Sequence, residues 1–74
     1  MNIKFIEQNL NFIFDVNGAY YRVLFERNDK DSDWAARLLD VSRNETVYNK
    51  ILNALVTPDI QLAEEMVKLY ISRG

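Results

Sequence analysis

Hydrophobic and polar residues alternate on both sides of a short turn signal in the first third of the chain. The signal is Asn17-Gly18, which favours a type I′ hairpin turn because both central residues of that turn need a positive φ. Side chains in a strand point to opposite faces in turn, so the alternation predicts two antiparallel strands with one apolar face. The predicted cross-strand partners on this face are Val16 with Ala19, Phe14 with Tyr21, Phe12 with Val23, and Leu10 with Phe25.

The other side of the hairpin is mixed in character and is the candidate binding surface. It carries the apolar Ile13 and Leu24 beside Tyr20 and Arg22. Tyr, Trp and Arg are enriched among the residues that dominate binding energy at protein interfaces, and Trp34 is assigned to the same surface. The competing expectation is that residues 1–9, as a short extra strand or a helical turn, fold over this surface and bury it.

Two segments follow the hairpin, and the second of them is ambiguous. Residues 27–33 include no apolar side chain and predict a solvated loop. Residues 34–41 contain Ala and Leu, which favour a helix, and Ser32 or Asp33 offers a helix cap. We predict a strand for 34–41, because an isolated two-stranded hairpin is only marginally stable and a third strand gives helices a wider face to cover.

A helix is predicted next, starting after residue 45. The sequence Ser42-Arg43-Asn44-Glu45 has the S-x-x-E form of a capping box. Apolar residues from Val47 to Leu55 then recur at spacings of one, three and four, which is typical of an amphipathic helix.

A second helix is predicted directly after the first, with Thr57 as its N-cap and Pro58 at its first helical position. The expected architecture is therefore one small α+β domain over residues 1–74. Its order is β-β-β-α-α, with a small antiparallel sheet packed on two C-terminal helices. This element order is similar to that of some phage-encoded inhibitors, including certain anti-CRISPR proteins, which implies a phage or bacterial accessory protein.

Composition removes most enzyme chemistry from consideration. The 74 residues include no cysteine and no histidine, so disulfides, the usual zinc sites and the familiar nucleophilic triads are absent. Asp15, Glu26 and Asp40 are candidates for an acid/base pair across the sheet, but a domain this small leaves little room for a substrate pocket. We predict a non-enzymatic protein without a cofactor.

One acidic stretch resembles a calcium-binding loop in its spacing. Asp29, Asp31, Asp33 and Asp40 fall at positions 1, 3, 5 and 12 of an EF-hand pattern. However, Trp34 stands where the pattern needs glycine, and Asp40 stands where it needs a bidentate glutamate. The favoured interpretation is a solvated loop without a metal.

Net charge is −2, which gives the chain no general attraction for nucleic acid or for anionic lipid. The two predicted helices invite comparison with a helix-turn-helix. The second of them, however, opens with Asp59 and carries Glu64 and Glu65, which phosphates would repel. No signal peptide and no membrane span is apparent, so a cytoplasmic location is expected.

The sequence therefore favours a protein-binding regulatory, adaptor or inhibitor module that also has the potential to form a homodimer. Its candidate partner-binding residues are Ile13, Tyr20, Arg22, Leu24 and Trp34. The alternative is a nucleic-acid-binding regulator, in which Tyr20 and Arg22 stack on single-stranded bases.

Overall fold

The Asn17-Gly18 turn forms as predicted in the computed structural model, which describes residues 1–73. Asn17 has a φ of 54° and Gly18 a φ of 89°, the two positive values that a type I′ turn requires. The Gly18 N–H donates to the Asp15 carboxylate at 2.8 Å, which holds the turn from one side. The predicted register is confirmed along the hairpin, from the Val16 and Ala19 pair at the turn to the Leu10 and Phe25 pair.

The remainder of the chain adds two strands and one helix, so the predicted order β-β-β-α-α is wrong. The four strands form one antiparallel sheet in chain order, and the helix follows the last strand. The class α+β still describes this arrangement, but the likeness in element order to phage-encoded inhibitors no longer has a basis. The elements are β1 Gln8–Val16, β2 Ala19–Arg27, β3 Trp34–Asp40, β4 Glu45–Leu52 and α1 Ile60–Arg73.

The segment predicted as a first helix is β4, and two local features explain the error. Asn44 has a φ of 52°, which is a left-handed conformation. The predicted capping box would place Asn44 in the first turn of a right-handed helix, so the Ser42 capping box does not form. The register between β3 and β4 shifts between Leu38 and Leu39, where Val47 is the extra residue of a β-bulge. The bulge lets the consecutive residues Val47 and Tyr48 both pack against the core, which imitates the adjacent apolar positions of a helix.

The C-terminal helix exists as predicted, but it begins later and has a different cap. The Asp59 carboxylate accepts the backbone N–H of Leu62 at 2.9 Å, which identifies Asp59 as the N-cap. Thr57 was the predicted cap, and it lies two residues before this position. Pro58 lies buried just before the cap instead of occupying the first helical turn.

The core lies between the helix and one face of the sheet. The side of α1 that bears Ala63, Met66 and Val67 is buried, and the helix packs on β1 and β2. The residues 53–59 that connect β4 to α1 pass close to the start of β3, where the Asp33 carboxylate accepts the Ala54 N–H at 2.9 Å. The buried sheet residues are Val23, Phe25, Trp34, Ala36, Leu38 and Leu52.

Residues 1–7 form neither the extra strand nor the helical turn that were considered for them. All seven are exposed and lie outside regular secondary structure, while Gln8 and Asn9 belong to β1. The radius of gyration is 13.6 Å, compared with about 11 Å expected for a compact chain of this length. Residues 1–7, which we call the N-terminal arm, therefore project from the sheet and leave the second sheet face uncovered.

Candidate functional site

The helix covers one face of the sheet, and the other face, which we call the open face, carries most of the predicted binding residues. Cross-strand pairing places Arg22 between Ile13 of β1 and Leu39 of β3. Leu24 occupies the neighbouring row, between Asn11 and Arg37. Strand alternation fixes the face of each residue, so the rows lie side by side on one surface. The centre of the open face is a group of apolar side chains around Arg22. Its members are Ile13, Tyr20, Arg22, Leu24, Leu39 and Ile51.

Several apolar side chains of the open face are largely accessible to solvent. Ile51 is 68% exposed, Ile13 54% and Tyr20 48%. Leu24 and Leu39 are half-buried between them. Single exposed apolar residues are common on protein surfaces, but a contiguous group on one face is typical of an interaction site.

Arg22 is the one cation of this group. Arg37, one row away, forms an ion pair with Glu26, whereas Arg22 takes part in none of the ion pairs among residues 1–73. Its Nε is buried without a hydrogen-bond partner. A buried N–H that lacks an acceptor costs about 1–3 kcal/mol.

A small depression of about 120 Å3 borders Arg22 at one end of the open face. It lies beside the turn that joins β3 to β4, and its walls also include Leu39, Asp40, Val41 and Asn44. The Val41 N–H donates to the Tyr20 carbonyl at 3.0 Å, which ties this turn to the end of β2. The depression gives a partner side chain room to approach the guanidinium.

Trp34 does not belong to the open face, contrary to the sequence-based assignment. The register pairs Ala35 with Glu26, so Ala35 lies on the open face and Trp34 on the covered one. Trp34 is only 3% exposed, and the Arg27 guanidinium stacks over its ring. The other four predicted residues, Ile13, Tyr20, Arg22 and Leu24, are brought together.

Sequence reasoning missed two members of the group, Leu39 and Ile51. The face of Leu39 depends on how β3 pairs with β2, and the sequence of the loop between these strands does not indicate that register. The helix predicted for this segment includes Ile51, although the β-branched and aromatic residues around it are a strand signal.

The acidic residues of the EF-hand-like stretch cap the backbone instead of converging. The Asp29 carboxylate accepts the Asp31 N–H at 2.9 Å, and Asp33 accepts the Ala54 N–H. Asp40 accepts the Arg43 N–H at 3.2 Å in the turn before β4. Within residues 1–73, no three acidic side chains group closely enough to hold a metal ion.

The three carboxylates considered for acid/base chemistry do not share one face and one end of the sheet. Asp15 is at the hairpin turn, and Glu26 is at the opposite end of the same face. Asp40 pairs with Tyr21, whose side chain belongs to the covered face. The register therefore places Asp15 and Glu26 at opposite ends of one face, and Asp40 at a position of the other face.

A depression of about 550 Å3 is on the covered side between the end of α1 and the start of β4. It is wide, and among residues 1–73 the one formally charged side chain on its walls is that of Arg73. These described residues therefore do not form an acid/base pair. Its lining residues are Tyr21, Val47, Tyr70, Ile71 and Arg73.

Neither the character of the helix nor the comparisons with known proteins indicate a function. Within the described part of the chain, 1–73, no helix has the length and apolar character needed to cross a bilayer. Comparison of the chain with protein-family models, curated proteins and solved structures finds no match.

Proposed function

We propose that this protein is a non-enzymatic binding module of the regulatory, adaptor or inhibitor kind, which holds a partner protein on its open face. One observation carries the proposal: the helix covers a single sheet face, and the second face exposes an apolar group around an unpaired arginine. Tyr and Arg are frequent hot-spot residues because they combine a large contact area with directional hydrogen bonds. Tyr20 and Arg22 stand next to Ile13 and Leu24 in this group.

The side chains of the open face indicate which chemical groups a partner protein should present to it. Ile13, Tyr20 and Ile51 offer apolar surface, so the partner presents apolar side chains of its own. The unpaired Arg22 favours a carboxylate in the same contact, because guanidinium and carboxylate form short, charge-assisted hydrogen bonds. Asp15 and the paired Glu26 lie toward the ends of the face, where they disfavour a partner that is acidic throughout.

The experiment is affinity capture with the tagged chain from its native host, read by quantitative mass spectrometry. Tyr20→Ala and Arg22→Ala are compared with Leu55→Ala, a matched change at an apolar residue that is 92% exposed outside the open face. We expect a partner that the Leu55 variant retains and that both open-face variants lose.

Binding to the purified partner then gives the size of the effect. We expect Arg22→Ala to weaken binding at least tenfold, or about 1.4 kcal/mol, and Arg22→Lys to recover part of the loss. Equal capture by the native chain, Tyr20→Ala and Arg22→Ala would remove the open face from consideration.

A further inference from the structure

The outer edge of β1 offers unpaired backbone groups along its whole length. β1 is the first strand of the sheet and pairs with β2 alone. Its nine residues contain no proline, and their pairing with β2 shows no register shift. Such an edge is a template for strand addition, which proteins usually block with a bulge, a proline, or a charge.

The residues that face outward from this edge can be identified. The Tyr20 carbonyl accepts the Val41 N–H, so Tyr20 directs its backbone toward β3 and away from Asp15, its partner in β1. Hydrogen-bonded and non-hydrogen-bonded pairs alternate along an antiparallel ladder. Asn9, Asn11, Ile13 and Asp15 therefore direct their N–H and C=O groups out of the sheet.

The opposite edge of the sheet is less suited to strand addition. β4 contains the bulge at Val47, which interrupts the ladder and twists the strand. Lys50 also lies on this strand, and lysine on an edge discourages pairing. The two edges therefore differ: β1 has no bulge and carries its one charge, Asp15, near its end, so β1 is the more open edge.

The N-terminal arm continues directly from β1 and is unusually apolar for an exposed segment. Ile3 is 89% exposed, Ile6 65% and Phe5 42%. The arm passes beside the loop before β3, where it shares a shallow depression with Asp29 and Lys30. Burial of these three side chains would be favourable, because it removes apolar surface from water.

We propose that two copies of the chain pair through their β1 edges, so that the arm of each copy covers the edge of the other. The two strands run antiparallel about a two-fold axis at Asn9. Ile3 to Glu7 of one copy then lie along Asp15 to Asn11 of the second copy. The arm is long enough to reach the end of the edge.

This register brings apolar residues together on both faces of the extended sheet, and it places Ile3 opposite Asp15 and Lys4 opposite Phe14 near the end of the arm. Phe5 lies opposite Ile13 of the second copy on the open face, and Ile6 lies opposite Phe12 on the covered face. A shift of the axis to Asn11 places Glu7 opposite Asp15, and a shift to Glu7 places the two Glu7 side chains together. Like charges in direct opposition destabilise a strand pair.

The dimer would form one continuous eight-stranded sheet. An axis perpendicular to the sheet keeps both open faces on one side and both helices on the other. The inference does not depend on partner binding, because it uses the edge and the arm, and Ile13 is the one residue of the open-face centre that takes part in it.

Mass measurement by light scattering, over a wide range of protein concentrations, tests the pairing. We expect twice the mass of one chain for the native protein. Phe5→Asp should raise the dissociation constant of the dimer more than tenfold. Leu55→Asp, which introduces the same charge at an exposed apolar residue away from the edge, should leave it unchanged. Asn11→Pro should also give monomers, since it removes an N–H that points out of the sheet and spares the hairpin ladder.

Cysteine cross-linking tests the register, because the chain has no cysteine of its own. Opposed Cα atoms in a hydrogen-bonded antiparallel pair are about 5.5 Å apart, within the reach of about 7 Å that a disulfide allows. Under mild oxidation Asn9→Cys should form a covalent dimer quickly. A mixture of Glu7→Cys with Asn11→Cys should form the mixed dimer.

The control is Asn49→Cys, an exposed position on β4, which should remain monomeric under the same oxidation. A native chain that stays monomeric at the highest concentration overturns the proposal. So does a dimer that Phe5→Asp leaves intact, or an Asn9→Cys chain that oxidises no faster than Asn49→Cys. None of these results bears on capture of a partner by Tyr20 and Arg22, so the two proposals fail separately.

Discussion

The Arg27 guanidinium lies over the Trp34 indole, 4.3 Å from its centroid. Arg27 also donates from Nε and Nη2 to the Gln8 side-chain oxygen, at 3.0 and 2.8 Å, and from Nη1 to the Lys30 carbonyl. One side chain thus joins the start of β1, the acidic loop and the first residue of β3. The geometry needs a planar donor with several N–H groups, which lysine does not supply.

We expect Arg27→Lys to destabilise the fold by about 1–2 kcal/mol, since it loses the paired donors to Gln8 and weakens the cation–π contact. Urea unfolding followed by Trp34 fluorescence measures the change directly. The matched control is Arg43→Lys, which alters an exposed ion pair with Glu45 and should change stability by less than about 0.5 kcal/mol. Equal effects at the two positions would contradict the bridging role of Arg27.

Substitution of Asn44 tests why residues 45–52 form a strand. Its φ of 52° is costly for most residues by roughly 1–2 kcal/mol and free for glycine. Asn44→Ala should therefore lower the free energy of unfolding by about 1 kcal/mol, while Asn44→Gly should leave it nearly unchanged. Asn49→Ala, at an exposed strand position, is the control in thermal or urea unfolding. Stabilisation by Asn44→Ala would instead support a helix at this point.

Substitutions before the start of α1 distinguish between two candidate N-cap residues, Asp59 and Thr57. Asp59→Ala removes the acceptor for the Leu62 N–H, so we expect a loss of about 0.5–2 kcal/mol. Thr57→Ala changes an exposed residue outside the cap and should alter stability by less than about 0.5 kcal/mol. Chemical denaturation of the two variants side by side gives the comparison. A larger loss at Thr57 would restore the sequence-based assignment.

Local patterns predicted the hairpin well because turn chemistry and alternation act within a few residues. Asn17-Gly18 determined the register, and the register brought Ile13, Tyr20, Arg22 and Leu24 to one face. Longer-range features were not predictable in this way. Trp34 faces the core because Ala35 pairs with Glu26, and nothing in the 27–33 loop reveals that pairing.

The missed strand β4 shows a different limit. A bulge at Val47 breaks the alternation, and the capping-box letters at Ser42 and Glu45 occur by chance before a left-handed Asn44. Once a helix is assumed there, Ile51 cannot be recognised as part of the open face. The β-branched and aromatic residues of this segment, Thr46, Val47, Tyr48 and Ile51, were the signal for a strand.

Leu38 lies at the centre of the buried cluster and is fully inaccessible to solvent. A Leu→Ala change at such a site costs about 2–5 kcal/mol, and a domain of this size has only about 3–5 kcal/mol available from its core. We expect Leu38→Ala to be largely unfolded at 25 °C by circular dichroism. Ile51→Ala, at a 68% exposed position of the neighbouring strand, should remain folded. A cooperative, native-like melt of Leu38→Ala would contradict the assigned core.

Trp34 provides a probe of the covered face, since it is the one tryptophan of the chain and is 3% exposed. Acrylamide should quench its fluorescence several-fold less in the folded protein than in urea, because the quencher cannot reach a ring enclosed by the core and Arg27. A partner bound on the open face should leave this low quenching unchanged, whereas it should protect a tryptophan introduced by Tyr20→Trp in the background Trp34→Phe. The folding of that double variant is checked by circular dichroism. Strong quenching of native Trp34 would place its ring at the surface and return it to the candidate binding residues.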